Sequence, residues 1–187
     1  MSENISYLTN HLLIALPMLD DPNFARSVVL ICQHDANGAM GITVNRASEY
    51  SLGQLMDQLQ IDFHDPVQRE QIALNGGPVH PERGFVLHDG AHLWASSIRV
   101  GDLCLTTSRD LLEAMAMGQQ HQNALFTLGC AGWDAGQLER EMHENAWLTA
   151  PVDHQVLFAT PLEQRWSAAL RLIGVDPFRM TDYCGHV

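Results

Sequence analysis

The sequence predicts an α+β (mixed α/β) fold. One compact domain spans residues 1–187, with a mixed, largely antiparallel twisted sheet flanked by about four helices. Three observations lead there. Asn37-Gly38 sits between two β-rich runs, the composition of a tight hairpin. Helix-start signals at Ser51 and at Thr160 lie far apart in the chain, so helices are interspersed among strands. The strands between them are short and do not alternate with helices as a regular βαβ winding would require. With 187 residues, 46% of them hydrophobic, the chain is long enough to bury roughly 70% of its unfolded surface around one core. No Ser-, Gly- or Pro-rich linker, internal repeat or low-complexity tract divides it.

Each element follows from local chemistry. His11 to Leu16 is a short apolar run stopped by Pro17, which predicts a strand. Ser27 to His34 and Ala39 to Asn45 should pair antiparallel across the Asn-Gly turn, with Cys32 buried as a small hydrophobe. Ser51-Leu52-Gly53-Gln54 has capping-box form, and Leu52, Leu55, Met56 and Leu59 make one apolar stripe on a helix. Residues 71–89 read as strand, Gly-Gly-Pro turn, loop and strand. Ser96 to Thr106 suggests two short strands around Gly101-Asp102, and Thr107 to Gly118 a second helix. Ala124 to Gly129 reads as a buried strand. Asp134 is then expected to cap a third helix with Gln137 at its third position, and Leu138 and Met142 facing inward. Ala146 to Ala150 and Gln155 to Ala159 suggest two more strands. Thr160-Pro161-Leu162-Glu163 opens a fourth helix ended by Gly174, and the tail to Val187 reads as irregular.

Charge narrows the function. All ten basic residues are arginine, and the net charge is −12. A lysine Schiff base is excluded, and so is the lysine of a Walker phosphate loop. The arginines are scattered singly, so direct nucleic-acid binding is not expected, nor attraction to an anionic membrane. No apolar run approaches the ~20 residues of a spanning helix, and the N-terminus lacks a basic leader, which predicts a cytoplasmic protein. Cys32, Cys104, Cys130 and Cys184 are widely spaced and form no C-x-x-C pair, as expected of reduced thiols. The ten histidines include no metal-site spacing. The nearest group, His80, His88 and His92 with Asp89, reads as loop histidines, and neither metal nor cofactor is expected.

The segments HLLIALPMLDDPNFARSVV, GAMGITVNR, NGGPVHPERGFVLH, GWDAGQLEREMHENAWL and the final Gly185-His186 resemble the bacterial YqgE/AlgH family, in the same order along nearly the whole chain. The resemblance implies a compact α/β domain in the bacterial cytoplasm and a regulatory label, and it carries over no catalytic residue. Where the family usually has Gly-Tyr after the late strand, this chain has Gly129-Cys130.

Three segments are candidate sites. Gly129, Cys130, Gly132 and Trp133 form a glycine-rich passage into a helix, where backbone N–H groups could meet an anion or a thiolate could form. The bland reading is a tight strand-to-helix joint with Trp133 in the core. Asn75, Gly76 and Gly77, followed by Arg83, offer bare backbone and a bidentate cation; the bland reading is a turn and a surface arginine. Asn45-Arg46, at the end of the hairpin, is the third, against strand-end polar residues. All three would serve together only if they meet at one end of the sheet. Glu139, Glu141, His143 and Glu144 read as a solvated helix face. Three functions remain open: a non-enzymatic protein that binds an unidentified small molecule or protein partner, with indirect regulation; an enzyme or sensor of a small anion using the Gly-rich loops and Arg83; and a thiol sensor through Cys130.

Overall fold

A computed structural model describes residues 6–17, 19, 21–90, 93–107, 109–119 and 123–181. The strands are β1 (His11–Ala15), β2 (Val28–Asp35), β3 (Gly38–Thr43), β4 (Ala47–Ser51), β5 (Ile72–Asn75), β6 (Val79–His88), β7 (Ser97–Val100), β8 (Leu103–Thr106), β9 (Ala124–Asp134) and β10 (Trp147–Pro151). The helices are α1 (Leu52–Gln58), α2 (Pro66–Arg69), α3 (Arg109–Ala116), α4 (Gln137–His143), α5 (Leu162–Leu172) and α6 (Pro177–Thr181). One sheet runs in the order β10-β1-β2-β3-β9-β6-β8-β7, and β4 and β5 attach beside β9. Every pairing is antiparallel except β5 with β9. The sheet curls into a half-barrel. Its far ends approach each other where Asn10 packs against Gly101, and where His154 Nε2 meets Asp102 Oδ1 at 3.2 Å.

The eleven-residue strand β9 joins the two halves of the sheet. Its first part pairs with β5 on one side and β6 on the other; its last part pairs with β3. The side chains report an irregularity between those parts. Leu125 and Cys130 both belong to the central core, although an odd spacing of five places residues of a uniform strand on opposite faces. The phase is reset at Gly129, whose φ of +75° lies in the region glycine tolerates.

Three apolar clusters follow from this geometry. The concave side holds residues of most strands, including Leu12, Leu30, Ile42 and Leu105, closed by Trp166, Ala169 and Leu170 of α5. Outside the β1–β2–β3 half, Leu13, Val29, Trp133 and Trp147 pack on Leu138 of α4. Outside the other half, Val86 and Phe126 pack under Leu52 and Met56 of α1 and Leu111 of α3.

Most of the expected elements are present. The β2–β3 hairpin closes across Asp35 and Gly38, and Cys32 is buried. The Ser51–Gln54 capping box is complete, with Ser51 N–H donating to Gln54 Oε1 at 2.9 Å and Gln54 N–H to Ser51 Oγ at 3.2 Å. Four expectations are corrected. Gln155–Ala159 is a π-helical turn, not a strand: Asp153 Oδ1 accepts from Val156 N–H and Thr160 N–H reaches Gln155 O. Thr160 does not cap α5; its hydroxyl donates to Gln155 O at 2.9 Å and Pro161 stands at the cap. Asp134 does not cap α4. The cap residue is Gly136 at φ +74°, and Gln137 Oε1 accepts from the Asp134 N–H at 3.0 Å. The stretch before Thr181 is helical (α6), and the rest of the tail, with Cys184 and Gly185-His186, lies outside the described residues. Strand β4 and helix α2 lie outside the expected elements; α2 does open on a capping Asp65 followed by Pro66.

Candidate functional site

The passage LGCAGWD is not a turn into a helix. It is strand throughout, and its glycines serve the meeting of two backbones. A methyl group on Gly76 or Gly129 would overlap a carbonyl oxygen of the other segment: Gly129 O in the first case, Gly77 O in the second. A methyl group on Gly77 would overlap the Cys130 carbonyl. The two glycine motifs therefore explain each other. Their bare backbone faces the opposing chain, which removes the anion-cradle reading of either loop.

The three candidate segments do meet. Gly76 N–H donates to Leu128 O at 2.7 Å, Thr43 N–H to Gly76 O at 2.8 Å, and Asn75 N–H to Arg46 O at 2.9 Å. Most of their side chains are committed to the fold. Asn75 Oδ1 accepts from Gly77 N–H at 3.2 Å. Asn45 takes Val28 N–H on Oδ1 and gives its amide to Arg26 O, both at 2.9 Å. Arg46 donates to the carbonyls of Pro22, Asn23 and Ala25, clamping the loop before β2. Trp133 is in the core, and its indole donates to Glu141 Oε2 at 2.9 Å.

What remains open is a cleft of about 530 Å³ on the concave side, walled by Arg83, Cys130, Gly132, Phe85, Ser97 and Thr107. It exists because β6 bulges. Val79 pairs with Cys130 and Gly84 with Leu128, so five steps along β6 answer two along β9, and residues 80–83 stand out from the ladder. Arg83 projects from that bulge with its guanidinium 5.7 Å from the centre of the Phe85 ring. It makes no ion pair with a described residue. The Cys130 thiol is pushed above its ordinary value by burial, and the charge of Arg83 offsets part of the rise. This is the reverse of the environment that makes a reactive thiolate. Sequence carries no signal for Ser97 and Thr107 as lining residues: the Ser96–Thr106 alternation marks strands and Thr107 reads as a helix start, and neither reveals which side chains face a cleft.

Two other readings change. The Glu139–Glu144 segment is solvated at His143 and Glu144 but not at Glu139 and Glu141. His34 Nε2 lies 3.0 Å from Glu139 Oε1. Glu141 Oε2 accepts both the Trp133 indole and the Trp147 indole, the latter at 2.8 Å, and Gln137 donates to its other oxygen. Glu139 and Glu141 are structural acceptors. His80 is exposed beside Glu82, whereas His88 is fully buried against Thr106 Oγ1 at 2.7 Å, so the two do not share a site; His92 lies outside the described residues. Among the described residues no group of three or more His, Cys, Asp and Glu is placed to hold a metal ion.

A curled half-barrel with one cation over an open cleft defines a class of small α+β domain. The model of the AlgH-like family matches residues 12–178, and the chain belongs to that family. UPF0301 proteins of Xanthomonas euvesicatoria and Xanthomonas axonopodis are 65% and 66% identical over 180 residues, covering 96% of this chain and 96% of each relative. The solution structure of the AlgH protein from Pseudomonas aeruginosa superposes with a TM-score of 0.80 at 42% identity, over 100% of both chains. A crystal structure of a Corynebacterium diphtheriae protein matches at TM-score 0.72 and 20% identity, over 100% of this chain and 95% of that one, a likeness of fold. No described helix is long and apolar enough to cross a membrane.

Proposed function

We propose that the protein acts by binding and not by catalysis, in the cytoplasm, and that its ligand is a small anion-bearing molecule held in the cleft under Arg83. The observation that carries this reading is Arg83 itself. It is a cation without an ionic partner among the described residues, set over Phe85 at the wall of a cleft of about 530 Å³. That volume suits a metabolite, and a planar guanidinium suits a carboxylate or phosphate. The neighbouring candidates support binding over chemistry. Asn45, Arg46 and Asn75 are held by backbone partners, and Cys130 is a poor thiolate. Any regulatory role would be indirect, through the ligand or a protein partner. The net charge is −12, and Arg69 and Arg109 face their own acidic partners, which leaves little for a polyanion to grip.

The test is a thermal-shift screen of phosphorylated and carboxylated metabolites. A compound at 100 times its Kd adds about 2.7 kcal/mol to stability. The expected result is a hit that Arg83→Gln abolishes and that is recovered chemically unchanged after incubation. A hit insensitive to Arg83→Gln, or consumed by the protein, would sink the reading.

A further inference from the structure

The same sheet carries a second cleft on its other face, chemically unlike the first. It has a volume of about 500 Å³. Its floor is Val86 of β6 and Phe126 of β9, neighbours across the ladder. One wall is α1, through Leu52, Leu55 and Met56, and the other is α3, through Leu112. The two helices are tied at one end and not packed together along their length. Arg109 of α3 donates through Nη1 to the carbonyl of Leu59, the residue that ends α1, at 2.6 Å. Its Nε meets Glu113 at 2.6 Å, so its charge is already answered. The bridge fixes the gap between the helices and leaves the hollow preformed. Tyr50 and Leu59 stand at its mouth with 47% and 41% of their surface exposed.

We propose that this hollow is a ligand site for an uncharged small molecule with an apolar body, aromatic or branched, and one polar group at the mouth. The size falls within the range of small-molecule pockets, and the apolar lining with a few polar groups at the edge is their usual make-up. The charges decide against an ion. Glu82 stands in the wall, Arg109 is neutralised by Glu113, and an unpaired charge against Leu52, Met56 and Phe126 is strongly disfavoured. Tyr50 and Gln58, exposed polar residues of the lining, are the side chains we assign to the ligand's polar end. Arg83 itself lines only the other cleft, although the two clefts share Phe85 and Thr107.

The probe is N-phenyl-1-naphthylamine, a neutral dye whose emission rises and shifts to the blue in apolar surroundings, titrated into the full chain. Saturable one-to-one binding is expected. It should weaken at least tenfold in Leu112→Trp, which fills the hollow, and remain unchanged in Arg83→Gln. If Leu112→Trp fails to fold, Leu55→Gln, a half-buried wall position made polar, gives the same readout. Absence of saturable binding, or binding that both wall variants leave intact, overturns the proposal. Loss in Arg83→Gln with the wall variants unaffected does so too, because it would move the dye to the other cleft. A failed metabolite screen at Arg83 leaves this result standing, so the two readings fall separately.

Discussion

Gly77 rests on the backbone of Cys130 so closely that a side chain of any size at Gly77 would overlap the Cys130 carbonyl. Its φ of +146° is a second barrier to an L-residue. Gly77→Ala is therefore expected to cost at least ~2 kcal/mol, read from urea or thermal unfolding. Gly132, three residues beyond Gly129 in the same strand, is the contrast. Its nearest neighbour would be 3.8 Å from an added Cβ, and Gly132→Ala should stay within about 0.5 kcal/mol. Equal costs at the two positions would show that the close crossing is not what the glycines serve.

Thiol chemistry gives a second expectation. Burial lifts the Cys130 thiol above its ordinary value of 9.0 while Arg83 pulls it back. Alkylation of Cys130 by iodoacetamide should inflect at higher pH than a free thiol does. Arg83→Gln should move that inflection further up, because the cation that favours thiolate is gone. Peptide-resolved mass spectrometry separates Cys130 from the buried Cys32 and Cys104.

The twin acceptance by Glu141 predicts a packing defect. Glu141→Leu leaves the Trp133 and Trp147 indole N–H groups and the Gln137 amide without their acceptor. A loss of about 2–4 kcal/mol is expected, with a shift in tryptophan emission. Glu144→Gln, on the exposed side of the same segment, should change neither.

Asp57 predicts a small acid dependence. Arg69 bonds both its oxygens, at 3.0 and 2.6 Å, and this hydrogen bonding holds the carboxyl below its ordinary 3.8. On acidification the unfolded chain takes up the proton first. The contribution is thus complete above pH 3.8 and lost as the pH falls through the folded value. Asp57→Asn should be slightly less stable than the parent at neutral pH and equal to it in strong acid. The neutral-pH difference should shrink in salt because the pair is exposed.

Much of the fold was legible because it rests on local chemistry. Asn37-Gly38 fixes a hairpin, and Ser51 with Gln54 fixes a helix start, within four residues each. The errors lie where distant partners decide. Nothing near Gly129 says that its backbone will lie against Gly77, so a strand bulge read as a turn. The apolar run Val156 to Ala159 suits strand and helix alike, and Asp153 decides for a π-helical turn. At the candidate site, sequence singled out three segments that meet in the fold, but not the roles of their side chains. Arg46 looked like a ligand-binding cation and is a clamp on three carbonyls, while the value of Arg83 depends on a bulge that only the β6–β9 register reveals.

The reset at Gly129 has a consequence for chain length. Deleting or inserting one residue between Thr127 and Cys130 would invert inside and outside for everything downstream in that strand, turning Trp133 toward the barrel interior and Cys130 away from it. The bulge at 80–83 bears no such constraint, since its residues are already out of the ladder. Length variation in chains of this architecture should accumulate there and be excluded from the strand it faces, so the segment that walls both clefts is free to change shape while the spine of the sheet is not.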